Sequence, residues 1–157
     1  MFCARYDSPL GPLLLTCEDG GLTGIRFNRQ PPDAETGHPI LEQTKRWLDV
    51  YFAGNMPEMD VPVKFYGTPF QQQVWQILLT IPYGENRTYG SIAREMAART
   101  GKEKMSAQAV GQAVGKNPIS ILVPCHRVMG AGGKLTGYAS GLDKKVWLRK
   151  HEKSAGH

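Results

Sequence analysis

The 157-residue sequence contains no uninterrupted apolar run near the ~20 residues that a membrane-spanning helix needs. Its start, Met1-Phe2-Cys3-Ala4-Arg5-Tyr6-Asp7, lacks the basic end, apolar stretch and small-residue cleavage site of a secretory signal. The expectation is a cytoplasmic protein with no membrane partner. Cysteine is scarce: the three residues Cys3, Cys17 and Cys125 fit neither a disulfide framework nor the closely paired spacing of a structural zinc site. A reducing compartment suits them. Cys3, Cys17 and His38 could contribute to a metal site, but strand cysteines packed as small hydrophobes are the simpler reading, so no metal and no cofactor is assigned. Internal repeats and low-complexity tracts are also lacking.

What is present is ordinary in bulk and uneven in distribution. Hydrophobic residues make up 41% and charged residues 21%, as in a soluble globular protein with room for one good core or two small ones. The net charge of +5 conceals a polarity along the chain. Residues 1–83 hold six Lys/Arg against nine Asp/Glu, a net −3, whereas residues 84–157 hold thirteen against five, a net +8. The second half therefore suits a polyanion, although a solvated basic face that serves only solubility has the same composition.

Hydrophobic period divides the chain in a similar place. Between Cys3 and Phe27, short apolar stretches broken by Ser8-Pro9-Leu10-Gly11 and Asp19-Gly20-Gly21 predict a meander of strands. Over 40–52 the period changes, with Leu41, Thr44, Trp47, Leu48, Tyr51 and Phe52 marking one helical face against that sheet. Residues 54–67, with Pro57 and Pro62, read as an extended connection. Thr68-Pro69-Phe70-Gln71 then carries a cap, a proline at the first helical position and a capping-box glutamine. Phe70, Val74, Ile77, Leu78 and Ile81 form the expected buried stripe of that helix. A second helix follows Thr88-Tyr89-Gly90-Ser91, with Ile92, Ala93, Met96 and Ala97 inward, and a third runs over about 106–116 with Val110 and Val114 inward. The pair, joined by the basic Thr100-Gly101-Lys102-Glu103-Lys104 turn, resembles a helix-turn-helix over about 88–116. Helical hairpins in ordinary cores look similar. Residues 119–123 are expected as a short buried strand, 130–133 as a flexible glycine turn and 142–152 as the last helix. The fold class is thus α/β, more narrowly α+β: a small sheet-plus-helix domain over 1–63 and a mainly helical domain over 64–157.

An apolar strand delivering Pro124-Cys125-His126-Arg127-Val128 is chemically pointed, because a thiol needs a base or a positive field to present as thiolate below its free pKa of ~8.5. Neighbours on an extended chain project to opposite sides, so His126 is expected to reach Cys125 only through a water or a bend. A buried carboxylate could hold the imidazole. Arg127 reads as a structural ion-pair partner. A core cysteine beside a surface histidine would explain the dipeptide in isolation.

The surrounding residues change that balance. Asn117-Pro118, Pro124 to Val128, Gly137-Tyr138-Ala139-Ser140-Gly141 and His151-Glu152 together resemble the methylated-DNA-protein-cysteine methyltransferase (O6-alkylguanine-DNA alkyltransferase) family. Thr68-Pro69-Phe70-Gln71-Gln72-Gln73-Val74-Trp75 resembles the opening of that family's catalytic domain, and Asp7-Ser8-Pro9-Leu10-Gly11 its N-terminal strand turn. The resemblance implies stoichiometric DNA repair by a single-turnover transferase. An alkyl group on guanine O6 in duplex DNA would pass irreversibly to Cys125 after the nucleotide is flipped out. It implies His126 as the base acting through a water, Glu152 as the carboxylate orienting it, and Asn117 as a bridge from the recognition helix to the active-site segment. Tyr89 would help rotate the nucleotide and donate a hydrogen bond to the departing guanine. Tyr138, Ala139 and Ser140 would lie on the loop over the base, with the Ala139 N–H a donor to O6, and the carbonyls of Cys125 and Val128 would accept from the exocyclic amine. Gln108, Ala109, Gln112, Lys116 and Lys104 would face DNA. The resemblance further implies a monomer with access to the nucleoid.

One position departs from the family pattern: Gln108 stands where an arginine usually enters the duplex. Glutamine is shorter and uncharged, so it can hydrogen-bond an orphaned base but forgoes charge attraction in the groove. The turn before it is also longer than usual, and Lys102, Lys104 or Lys116 is expected to recover part of the phosphate attraction. Two other readings stay open. One is a sensor that binds alkylated DNA without repairing it, or repairs it weakly. The other is a cysteine hydrolase built on Cys125, His126 and Glu152.

Overall fold

The computed structural model describes residues 1–27, 35–134, 138 and 141–154, and these form a mixed α+β protein made of two compact units. The first comprises Met1–Tyr66 together with Pro118–Ser120 and the chain from Lys150 onward, and the second comprises Gly67–Asn117 and Ile121–Arg149.

In the first unit β1 (Phe2–Ser8), β2 (Gly11–Glu18) and β3 (Gly21–Arg26) form an antiparallel meander in that order. The first reversal is tight. Ser8 pairs with Gly11, whose φ of +105° is open to glycine, and the Ser8 hydroxyl donates to the Gly11 carbonyl at 2.6 Å. Leu13, Leu15 and Cys17 alternate inward along β2, so Cys17 packs as the small hydrophobe its strand position calls for. β3 is buried at every residue from Gly21 to Ile25, because α1 (Pro39–Phe52) packs on the sheet and two further segments bond along the β3 edge. Leu22 exchanges backbone hydrogen bonds with Pro62 and Lys64, and Ile25 with Pro118 and Ser120. Glycine is required at Gly21, where a Cβ would meet the Val63 carbonyl carbon at 2.9 Å. The connection over 54–67 is therefore in part a bridge partner of the sheet. α1 starts at His38, whose Nδ1 accepts from the Ile40 N–H at 3.1 Å, and it buries Leu41, Thr44, Trp47, Leu48 and Tyr51.

The second unit is mainly helical: α2 (Pro69–Leu78), α3 (Tyr89–Thr100), α4 (Ala107–Gly115) and α5 (Leu142–Ser154), the last continuing into the first unit from Lys150. α2 opens with the expected reciprocal capping box between Thr68 and Gln71. α3 and α4 form the helix-turn-helix pair. Gly101, with φ +71°, ends α3 in the left-handed conformation, and Ser106 caps α4 by accepting from the Ala109 N–H. The inward residues of both helices are those the period gave, with Ala113 added. Trp75 was not anticipated in the core of α2. Its ring is 2% exposed and its indole N–H donates to the Ala113 carbonyl at 2.8 Å, so one side chain fastens α2 to α4. Phe70, by contrast, is only half-buried.

Two expectations are corrected. Residues 119–123 do not form a strand: only Ile119 bridges to Ile25, after which the chain turns. Ile121 sits at φ +70° with its side chain fully buried. A β-branched residue in that region costs about 1–3 kcal/mol and breaks an extended run, which apolar composition alone does not reveal. The glycine stretch at 130–133 is an ordered turn of 3-10 form, closed by the Gly130 N–H donating to the Lys134 carbonyl at 2.8 Å.

Trp75→Phe keeps most of the ring but leaves the buried Ala113 carbonyl without its indole donor. It should lower stability by about 1–3 kcal/mol in urea unfolding, whereas an unchanged midpoint would mean that the indole bond contributes nothing.

Candidate active site

Proline fixes the approach to the cysteine. Pro124 has φ −82° and ψ 66°, an inverse γ-turn in which the Cys125 N–H donates back to the Val123 carbonyl at 2.8 Å. The same carbonyl accepts from Asn117 Nδ2 at 2.9 Å. Asn117 follows α4 directly, so its side chain links the end of that helix to the turn that carries Cys125. Cys125–Arg127 is then a single 3-10 turn, with the Val128 N–H donating to the Cys125 carbonyl. The expectation that Cys125 and His126 are neighbours on extended chain is therefore corrected: the left-handed Ile121 and the γ-turn convert the segment to a bend. Both residues are buried, His126 completely.

β5 (Val128–Met129) pairs in parallel with β4 (Arg87–Thr88), which leads directly into α3. This two-rung ladder sets the end of the cysteine turn beside the start of the helix-turn-helix. Thr88 caps α3 through its hydroxyl, which accepts from the Ser91 N–H at 3.0 Å. Arg87 fastens the ladder to α3, donating to Ser91 and to Glu95, the latter at 2.6 Å. Arg127 donates to the buried Ile81 carbonyl at 2.7 Å and lies over the Tyr83 ring, which suits a structural role.

Tyr89, the first residue of α3, is half-buried beside Gly111 of α4. The Lys145 ammonium stands 5.9 Å from its ring centroid. Lys145 is the residue that sequence reasoning overlooked. It is fully buried in α5, and desolvation pushes its pKa down to about 8 against the opposing pull of the Cys125 thiolate form, with Arg149 lowering it further. The available signal was its place three residues before Leu148 and seven before Glu152, which puts two charges on the buried stripe of one helix.

Cys125 is subject to opposing influences. Burial, the largest, pushes its thiol above the ordinary value, while hydrogen bonds from Asn117 and Tyr138 and the charge of Lys145 pull the other way without overcoming it. The thiol of the protein alone is therefore protonated at neutral pH. Tyr138 is among the groups that lower the thiol pKa, whereas Ala139 and Ser140 lie outside the described residues. Val128 is completely buried in the ladder.

Glu152 belongs to the first unit, where it is 1% exposed and accepts from the Tyr51 hydroxyl at 2.7 Å. On α4, Gln108 and Gln112 are exposed and Ala109 is half-buried, which leaves one face of small and uncharged residues, and the exposed Lys116 caps the helix end. Before that helix, residues 101–106 form a turn with Lys102 and Lys104 exposed. A groove of about 560 Å³ beside it has Ala93, Ala97 and Met105 in its lining and Arg94, Lys102 and Lys104 among its charged residues. Among the described residues no cluster of three His, Cys, Asp or Glu side chains could hold a metal ion, and no helix is long and apolar enough to cross a membrane.

Known proteins share this arrangement along nearly the whole chain. Residues 69–154 match the DNA-binding domain of 6-O-methylguanine DNA methyltransferase, and residues 1–65 match its ribonuclease-like domain. The methylated-DNA--protein-cysteine methyltransferase of Methanosarcina acetivorans is 46% identical, with 98% of this chain and 99% of that protein aligned. That of Mycobacterium tuberculosis is also 46% identical, over 94% of this chain and 90% of the relative. The crystal structure of Mycobacterium tuberculosis OGT in complex with DNA superimposes with a TM-score of 0.82 at 47% identity, covering 96% of this chain and 91% of that one. The 6-O-methylguanine DNA methyltransferase from Pyrococcus kodakaraensis, 20% identical with a TM-score of 0.54, shares the fold. With both halves matched and relatives aligned from end to end, the chain belongs to the 6-O-methylguanine DNA methyltransferase family.

Proposed function

We propose that the protein repairs DNA by moving an alkyl group from guanine O6 in a duplex to the sulfur of Cys125, one lesion per molecule. The observation that carries this reading is the cysteine turn itself. A buried thiol sits on a turn that Asn117 ties to the end of α4, with a buried lysine acting on it and a ladder joining its turn to the helix-turn-helix. The positive half of the chain, net +8 over residues 84–157, suits a DNA partner.

In this reading the target nucleotide leaves the stack at a cost of roughly a few kcal/mol, recovered in the pocket. His126 takes the thiol proton through a water, and Glu152 orients the imidazole and stabilises its charged form. Asn117 and Tyr138 donate to the sulfur as charge develops, and the Lys145 field favours the thiolate. Sulfur then attacks the alkyl carbon in line, the carbon–oxygen bond breaks, and its electron pair stays on the guanine, which accepts a proton from Tyr89. Tyr138 and Val128 line the base site. The resulting thioether has no leaving group, so the sulfur is spent. Gln108 serves as the wedge in the duplex, flanked by Ala109 and Gln112, while Lys104, Lys116 and Lys102 meet phosphates. The protein acts as a monomer in the cytoplasm, with access to the nucleoid.

A second reading is favoured by Gln108 alone. An exposed, uncharged wedge weakens the hold on a flipped state, which suits a damage sensor or a slow repair protein. Gln108→Arg discriminates: under the first reading it raises duplex affinity and transfer rate several-fold, and no gain in either would remove this position from the duplex.

Intact-mass measurement after incubation with an O6-methylguanine duplex should show one added methylene on the Cys125 peptide and a 1:1 endpoint. Cys125→Ala should bind the duplex and transfer nothing. Repeated turnover per Cys125, on DNA or on an ester, would end the proposal in favour of a hydrolase.

Titration of the thiol by iodoacetamide, followed on the Cys125 peptide, should give a midpoint above that of a free cysteine, because burial dominates. Lys145→Met should move the midpoint further up and slow alkylation at pH 8, since the ammonium is a lowering influence. A downward move would contradict that sign.

A further inference from the structure

Two successive residues of α5 are fastened to one residue of α1. Glu152 accepts at Oε2 from the Tyr51 hydroxyl at 2.7 Å, and His151 Nε2 donates to the Tyr51 carbonyl at 2.7 Å. Tyr51 is 0% and Glu152 1% exposed. The phenol has little freedom to swing away. Trp47 stacks on it at 5.6 Å and 8°, Phe52 meets it edge-on at 5.2 Å and 90°, and the His151 ring lies 5.2 Å off. All of these groups lie in the sheet-and-helix unit, so its geometry alone fixes where Oε2 sits.

We propose that Tyr51 is a positioning residue for alkyl transfer: its hydroxyl holds the Glu152 carboxylate in one rotation. This rests on the reading of Glu152 as the carboxylate that orients His126. The physical case has two parts. A buried carboxylate without donors is driven toward its neutral form, and a short O–H···O⁻ bond is among the stronger ways of opposing that. With Oε2 anchored, the remaining oxygen has a defined direction in which to accept a further proton donor, whereas an unanchored carboxylate would turn about its last torsion.

The test is the transfer rate constant at saturating O6-methylguanine duplex in excess over protein, across pH, with the active fraction taken from the amplitude. Tyr51→Phe keeps the ring stack and removes the donor. It should lower the rate constant roughly 10-fold near neutral pH and move the acid limb of the profile upward, because the carboxylate becomes harder to ionise, while duplex affinity is unchanged. Tyr6→Phe is the control. It deletes another phenol that bonds a carboxylate of α1, Asp49, at 2.7 Å, and should leave rate and profile as they were. Glu152→Gln should slow transfer by about 100-fold, and adding Tyr51→Phe to it should cost nothing more, since the two act as one unit.

Several outcomes overturn the proposal. If Glu152→Gln is slow while Tyr51→Phe keeps the parental rate constant and profile, the inference fails and the reading of Glu152 stands. The inference also fails if Tyr51→Phe reduces only the amplitude, a sign of lost stability, or slows the Glu152→Gln protein by the same factor. If Glu152→Gln transfers at the parental rate, the reading itself is lost. Should Tyr51→Phe prove poorly folded, fluorotyrosine at position 51 keeps ring and hydroxyl while strengthening the donor. It should move the acid limb downward, and an unmoved limb counts against the proposal.

Discussion

The Val123 carbonyl oxygen accepts twice, from the Asn117 side chain and from the Cys125 main chain, and the position of the sulfur follows from those two bonds. One ties the cysteine turn to the end of α4, and the other closes the γ-turn at Pro124 that reverses the chain just before the thiol. A carbonyl can take both because it has two lone pairs, and both bonds are short. The proline keeps φ in the range the γ-turn needs, so little backbone entropy is left to lose there. The 3-10 turn that follows places Cys125 and His126 on a bend and hands the chain to β5, whose pairing with β4 reaches the first residue of α3. A chain of short-range constraints thus runs from the recognition helix through the sulfur to the helix-turn-helix start.

That frame tolerates several costs. Ile121 lies in left-handed backbone, a lysine is wholly buried, and a thiol is buried among groups that act on it in opposite senses. Strain and buried charge are expected where geometry is held for chemistry and are otherwise removed by drift, since each costs on the order of 1–3 kcal/mol out of a total stability of about 5–15 kcal/mol. All three lie in the mainly helical unit rather than in the sheet unit, which sets the candidate site apart from its scaffold. Within the sheet unit the nearest equivalent is the buried Glu152 with Tyr51 against it.

Much of this was legible in the residues. The meander, α1, the Thr68 capping box and the inward faces of α3 and α4 follow from period and from local capping chemistry, which act over a few residues and leave their mark in the sequence. The Pro-Cys-His-Arg motif with Asn117 and Glu152 at its separations pointed to the candidate site. What escaped depends on tertiary context. Residues 119–123 are uniformly apolar, and burial on all sides gives the same composition to a strand and to a turn; only the sign of φ at Ile121 separates them. Trp75 and Lys145 share a second cause, since a long amphipathic side chain is assigned to the surface unless its polar end has a partner, and those partners, the Ala113 carbonyl and the cysteine site, lie far away in sequence. Thiol ionisation is similar, because a neighbouring histidine advertises activation while the depth of burial that opposes it is invisible in one dimension.

The opposition itself has a rationale if the sulfur is used once. A thiolate maintained at rest would react with any soluble electrophile, and for a protein without a route to regenerate its cysteine each such event removes a molecule from service. Burial that keeps the thiol protonated avoids this. Groups that lower the pKa but do not prevail, Asn117, Tyr138 and Lys145, then serve as a reserve that tells only when a bound base closes the site and a proton acceptor is in place. On the proposed reading, the same arrangement would let selectivity come from DNA rather than from the nucleophile, with ionisation coupled to the arrival of a flipped base. On that reading the basic turn before α4 would draw in the phosphate backbone, and the neutral exposed face of α4 would be left to meet the bases.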